Sequence, residues 1–145
     1  MVYLSTPTNK LGRSECVRIS DMALRWCRRN LGENNRKQYD IKWYIQKQEF
    51  GDMGEYDGDD HEIYIFWNNN KNVKDLIQTC IHEYTHSLQP IRTKYWKFPG
   101  TYSRNPYERA AKYNEEKYLP DCWNYINKRI NKKQNGLRNR SLKTR

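Results

Sequence analysis

Asn72-Val73-Lys74-Asp75-Leu76-Ile77-Gln78-Thr79-Cys80-Ile81-His82-Glu83-Tyr84-Thr85-His86-Ser87-Leu88-Gln89-Pro90 is the stretch on which the fold turns. Its apolar residues Val73, Ile77, Cys80, Ile81, Tyr84 and Leu88 recur at three- and four-residue steps, forming one stripe at about 100° per residue. Asn72 is a candidate N-cap and Pro90 a stop, so the spacing predicts a single amphipathic helix. His82 and His86 fall off the stripe, on the side shared with Asp75 and Thr79, where a core histidine does not belong. Four residues apart, they share one helix face. With Glu83 they complete a His-Glu-x-x-His motif, and the chain has only three histidines in all.

That spacing lets both imidazoles reach one zinc ion, and a glutamate after the first can take a proton from water beside it. A hydrolytic zinc centre needs a third protein ligand. No histidine follows His86, so a downstream ligand is an acid or a cysteine. Asn105-Pro106-Tyr107-Glu108 reads as the opening of a new helix, with Asn105 as N-cap and Pro106 as its first residue. Glu108 falls in the first turn, and Ala110 and Ala111 allow close approach to the motif helix. Asn-x-x-Glu is also a capping-box variant, in which Glu108 would bond back to the Asn105 amide. The metal role is favoured because no other third ligand is convincing. Glu115 and Glu116, one or two turns farther on, are the fallbacks.

His82-Glu83-x-x-His86 with Glu108 at the start of the next helix resembles the gluzincins, zinc metallopeptidases with two histidines and a glutamate. The short chain points to their minimal, minigluzincin-like form. Tyr107-Glu108-Arg109-Ala110-Ala111-Lys112-Tyr113-Asn114 is also similar to the glutamate helix of ImmA/IrrE-type peptidases. The likeness spans residues 40 to 120 and is carried by short motifs. It implies Zn²⁺ held by His82, His86 and Glu108, with Glu83 as the general base of peptide hydrolysis. It further implies that the strand before the motif helix rims the cleft and pairs with substrate, which makes Ile63, Tyr64, Ile65 and Phe66 substrate-binding residues. Metzincin-like and SprT-like enzymes call for a third histidine, and Met1, Met22 and Met53 all precede the motif, so no Met-turn follows it. Where thermolysin-like enzymes carry a supporting aspartate, four residues past the glutamate, this chain has Lys112. Outer support for the histidines is thus unassigned.

The remaining pattern fits an α+β minimal zincin fold: a small mixed sheet, an N-terminal helix, the motif helix and the glutamate helix. Ser14 to Leu31 reads as a helix with Ser14 as N-cap and Gly32 past its end. Asp40 to Gln46 alternates as a strand with Ile41, Trp43 and Ile45 inward; Gly51 to Tyr56 holds a short second strand. Asp57-Gly58-Asp59-Asp60 is a turn. His61 to Trp67 is the strongest strand, with Ile63, Ile65 and Trp67 on one face and His61 a solvated end residue. A last helix runs from Asp121 to about Gln134. Oxyanion donors are sought among Tyr102, Tyr107 and Tyr113, and the loop Ile91 to Arg104 is placed below the cleft.

Length and polarity bound the function. The 145 residues fit one domain, here 1–136, with 137–145 as a flexible basic arm. Twelve Tyr and five Trp supply much of a small core. No apolar run reaches the length of a membrane span, the N-terminus lacks a signal-peptide core, and no membrane partner is expected. Cys16, Cys27, Cys80 and Cys122 form no Cys-x-x-Cys pair and are expected reduced, in a cytoplasmic setting. The abundance of Asn, Lys, Tyr and Ile matches an AT-rich coding genome, and for a viral source the setting would be virion or host cytoplasm. Of the net charge of +10, eight charges fall in Cys122 to Arg145, which carries no acid. Such a segment attracts nucleic acid or an acidic protein surface. The expected function is a zinc-dependent endopeptidase acting on a peptide or protein. The alternatives are a non-catalytic zincin-fold structural, virion or assembly module, and a nucleic-acid-associated protein acting through its basic C-terminus. An intact Glu83 speaks against the former, and the lack of a recognised reading motif against the latter.

Overall fold

Three consecutive asparagines, Asn68-Asn69-Asn70, hold together the two halves of this structure, a computed structural model describing residues 1–90 and 105–131. The chain runs α1 (Thr8–Leu31), β1 (Lys42–Gln46), β2 (Gly54–Asp57), β3 (Glu62–Phe66), a short 3₁₀ turn, α2 (Val73–Leu88), α3 (Pro106–Lys117) and α4 (Leu119–Ile130). The fold is α+β, with a three-stranded mixed sheet in the order β1-β3-β2. β1 runs parallel to β3 in the register Trp43↔Ile63 and Ile45↔Ile65, and β2 runs antiparallel to it with Gly54↔Ile65 and Tyr56↔Ile63. Reaching β2 from β1 therefore requires a crossover past the end of β3, and the asparagines fasten it. Asn68 accepts from the Gln48 amide at 2.8 Å, Asn69 donates to the Asp52 carbonyl at 2.9 Å, and Asn70 donates to the carbonyls of Met53 and Phe66.

α2 forms where its apolar stripe predicts. Val73, Ile77, Cys80, Ile81 and Tyr84 are fully buried between the sheet and α1, in a core shared with Ile19, Ala23, Leu24, Ile63 and Ile65. Its first amides all find acceptors: Val73 donates to the Thr6 carbonyl, Lys74 to the Leu4 carbonyl, and Asp75 to the Asn72 side chain. The extended segment before α1 thus covers the start of the motif helix. α3 packs along α2, and α4 lies against α1 and α2. All four cysteines are buried and unpaired, Cys80 in the core as expected. No helix among the described residues is long and apolar enough to cross a membrane.

Three expectations need correction. α1 begins at Thr8, not at a Ser14 cap, because the Thr8 amide donates to the Lys71 carbonyl and holds an earlier turn. Gly12, at φ 79, then breaks the helix in a conformation open to glycine. His61 is not solvated but buried, at 3 % exposure. A positive φ of 55 turns its ring inward, where Nδ1 meets the Tyr56 hydroxyl at 2.7 Å. Ile63, Tyr64, Ile65 and Phe66 have no open edge to offer a substrate. β3 is the central strand, its main chain paired on both sides, and Ile63 and Ile65 are wholly buried. The end of the predicted last helix, the domain limit at 136, the arm 137–145, the loop 91–104 and Tyr102 lie outside the described residues.

Asn70 also ties this crossover to α2, since its Oδ1 accepts from the Thr79 hydroxyl at 2.6 Å. Asn70→Ala strands the Thr79 hydroxyl and takes a donor from the Phe66 carbonyl, both in a buried setting. It is expected to lower unfolding free energy by about 3 kcal/mol, read from urea denaturation.

Candidate metal centre

His82 and His86 project from α2 toward Glu108, held in the first turn of α3 by its cap. The Asn105 side chain accepts from the amides of Tyr107 and Glu108, at 2.9 and 3.4 Å. With Asn105 capping forward, the Glu108 carboxylate faces α2. Oε2 lies 3.0 Å from His82 Nε2 and Oε1 3.0 Å from His86 Nε2. The two Nε2 atoms are 3.2 Å apart. One ligand atom from each of the three residues falls within 4.8 Å of the others, so the group is dimensioned to hold a metal ion. His86 is 2 % exposed and Glu108 8 %. The Glu108 carboxylate thus lies with the two imidazoles in a group that could hold a metal ion.

Hydrogen bonding at the far side of each ring fixes which nitrogen carries a proton. His82 Nδ1 meets the carboxylate of Glu115 at 3.4 Å, and a carboxylate can only accept. His86 Nδ1 meets Gln89 Oε1 at 2.8 Å, while Gln89 Nε2 donates to the Tyr107 carbonyl at 2.9 Å. That second bond orients the amide so that its oxygen faces the imidazole. Both Nδ1 atoms are then donors, and both Nε2 atoms turn a lone pair toward the other and toward the Glu108 carboxylate. Acceptors converging in this way repel one another unless they share a cation. A proton can do so: burial opposes charge on His82, but the hydrogen bonds it donates to Glu108 and Glu115 outweigh it and push its pKa up to about 10. Two imidazole nitrogens and one carboxylate are also the donor set that zinc accepts.

Glu83, one residue past the first ligand, places Oε1 4.0 Å from His82 Nε2. It is 8 % exposed, and burial lifts its pKa to about 7, partly offset by His86 and His82. β2 runs over it. A Cβ on Gly54 would lie 2.7 Å from Thr79 Cγ2 and 3.1 Å from Glu83 Cγ, so the strand approaches this closely only as glycine. The bond from the Phe66 amide to the Met53 carbonyl sets the alternation of the β2–β3 ladder. It turns the main-chain groups of Gly54 and Tyr56 to the outer edge of β2, where no strand pairs among the described residues. The open edge nearest Glu83 is therefore β2, not β3.

Sequence reasoning brought together His82, Glu83, His86 and Glu108, and the structure places all four at one point. It missed Gln89 as a ring partner and read Glu115 as a spare ligand. Glu115 had a signal, because it stands seven residues after Glu108 and two helical turns return it to the same face. Gln89 lies just beyond the end of α2 and had none. Of the tyrosines considered as oxyanion donors, Tyr113 is 61 % exposed and Tyr107 packs against the core. No family model, characterised protein or solved structure matches this chain.

Glu108→Ala is expected to weaken metal binding sharply. Gln89→Ala and Glu115→Ala should each weaken it by about 10- to 100-fold through loss of ring orientation, measured by competition with a chromogenic chelator. Because the cation replaces the proton on His82, uptake should release protons and apparent affinity should rise with pH. Titration calorimetry in buffers of different ionisation enthalpy checks this.

Proposed function

We propose that this protein is a zinc-dependent endopeptidase of the minimal gluzincin type. The observation that carries the reading is the convergence of His82 Nε2, His86 Nε2 and the Glu108 carboxylate, with Glu83 alongside. His82, His86 and Glu108 would hold the ion, and a bound zinc supplies Lewis acidity that polarises a carbonyl and acidifies water. A purely structural site has no use for a second acid held beside its three ligands. Glu83 takes the proton from water attacking the peptide carbonyl and passes it to the leaving amine. A carboxyl group whose pKa lies near 7 suits both halves of that shuttle.

The substrate peptide pairs along the outer edge of β2, through the main-chain groups of Gly54 and Tyr56. Main-chain hydrogen bonds of this kind supply affinity without demanding a particular side chain. Gly54 sets how closely the peptide passes over Glu83.

Glu83→Gln keeps the shape and volume of the side chain but cannot accept a proton. Zinc content is expected to stay at one ion per chain, while hydrolysis of a diverse peptide library falls by ~10²-fold or more. Equal cleavage by both proteins would take Glu83 out of the reaction, and cleavage by neither would leave a metal-binding module without turnover.

A further inference from the structure

The sheet has a second open edge, on the side away from the metal centre. The Lys42 amide donates to the His61 carbonyl, so in the parallel ladder Lys42, Tyr44 and Gln46 turn their main-chain groups toward β3. Trp43 and Ile45 turn theirs outward, and no strand pairs with that edge among the described residues. Between it and α1 lies a cleft of about 360 Å³ lined by Asp21, Arg25, Arg28, Ile41, Lys42, Trp43 and Tyr44.

The cleft is internally braced. Asp21 accepts from the Trp43 indole at 2.9 Å and from Arg25 Nε at 2.9 Å, so one carboxylate fixes both the ring and the guanidinium. The Arg28 guanidinium sits over the Trp43 ring at 5.0 Å. Asp21 is thereby engaged within the wall, and the lining still carries three cations against its single negative charge. Arg25, Arg28 and Lys42 are exposed.

We infer that this groove binds an extended acidic peptide segment of a partner protein, added as a strand to the outer edge of β1. Two independent features select that occupant. Main-chain donors and acceptors at Trp43 and Ile45 match a peptide backbone, which a nucleic acid cannot supply. The flanking cations match carboxylates on the added strand. Segments of this chain outside the described residues are basic, with Arg92, Lys94, Lys97 and Arg104 in one and Lys132, Lys133, Arg138 and Arg140 in the other, so charge argues against self-occupancy. The inference stands whether or not the metal centre is catalytic.

The test uses the full-length chain carrying Glu83→Gln, so that no probe is cut, and a fluorescein-labelled peptide of alternating Glu and Val. Anisotropy reads affinity, and amide chemical shifts read location. The inference requires downfield shifts of the Trp43 and Ile45 amides on binding. It requires affinity to fall about tenfold or more with Arg25→Glu/Arg28→Glu, and to be lost when alternate peptide nitrogens are methylated in the register that faces β1. Arg25→Gln, milder at an exposed position, should reduce affinity in the same direction and covers the case in which the double variant misfolds. Unchanged affinity of both methylated registers would overturn the inference, as would shifts confined to Gly54 and Tyr56 or to residues beyond Ile130. Oligothymidylate moving the Trp43 and Ile45 amides equally well would assign the groove to phosphate. Movement of those amides with protein concentration alone would assign it to a second copy of this chain.

Discussion

Lone pairs that point at one another need a positive charge between them, and the arrangement of the helices here follows from providing for one. His82, His86 and Glu108 come from two different helices, yet their ligand atoms converge. What aims them is not the ligands themselves. The Asn105 cap sets the direction of Glu108, and Gln89 and Glu115 set the tautomers of the two rings. Gln89 does this while donating to the Tyr107 carbonyl, so one neutral side chain ties the end of the motif helix to the start of the glutamate helix. The two rings are not equivalent. One rests against an anion and the other against an amide, and the anion makes His82 the stronger electron donor.

Much of this is legible in local spacing alone. The apolar stripe of α2 is a period that only a helix satisfies, and its Val73, Ile77, Cys80, Ile81 and Tyr84 are fully buried, although Glu83 and His86 off the stripe are buried as well. The ligand set is legible for the same reason, because two histidines four apart and a glutamate behind an Asn-Pro helix start are short-range patterns. Strand order is not. Whether a strand lies at the centre or the edge of a sheet depends on pairing between distant segments. The short, weakly patterned β2 gives no sign that it takes the outer place while the apolar β3 takes the centre. What makes β3 central is that its main chain pairs with β1 on one side and β2 on the other, and neither pairing leaves a mark in local spacing.

The other misreadings share a cause. His61 reads as a solvated strand end, and nothing in Asn68-Asn69-Asn70 marks a fastening, since composition alone places amides and imidazoles outside. In the fold each is a fastening. The asparagines satisfy main-chain groups of a crossover that has no ladder of its own, and His61 meets a tyrosine hydroxyl that burial has already removed from water. Polar residues beside tight turns are where composition is least informative, because there the side chain substitutes for missing secondary structure.

The two outer strands of the sheet also differ in sign. β2 and its turn to β3 carry Glu55, Asp57, Asp59 and Asp60, whereas the groove along β1 presents Arg25, Arg28 and Lys42. Three strands at a spacing of about 4.8 Å separate these charges by only two interstrand steps. The sheet is accordingly a short electric dipole lying across the fold, positive toward α1 and negative toward the hairpin. A charged macromolecule approaching within about a Debye length, roughly 8 Å at physiological salt, feels a torque before it makes any contact.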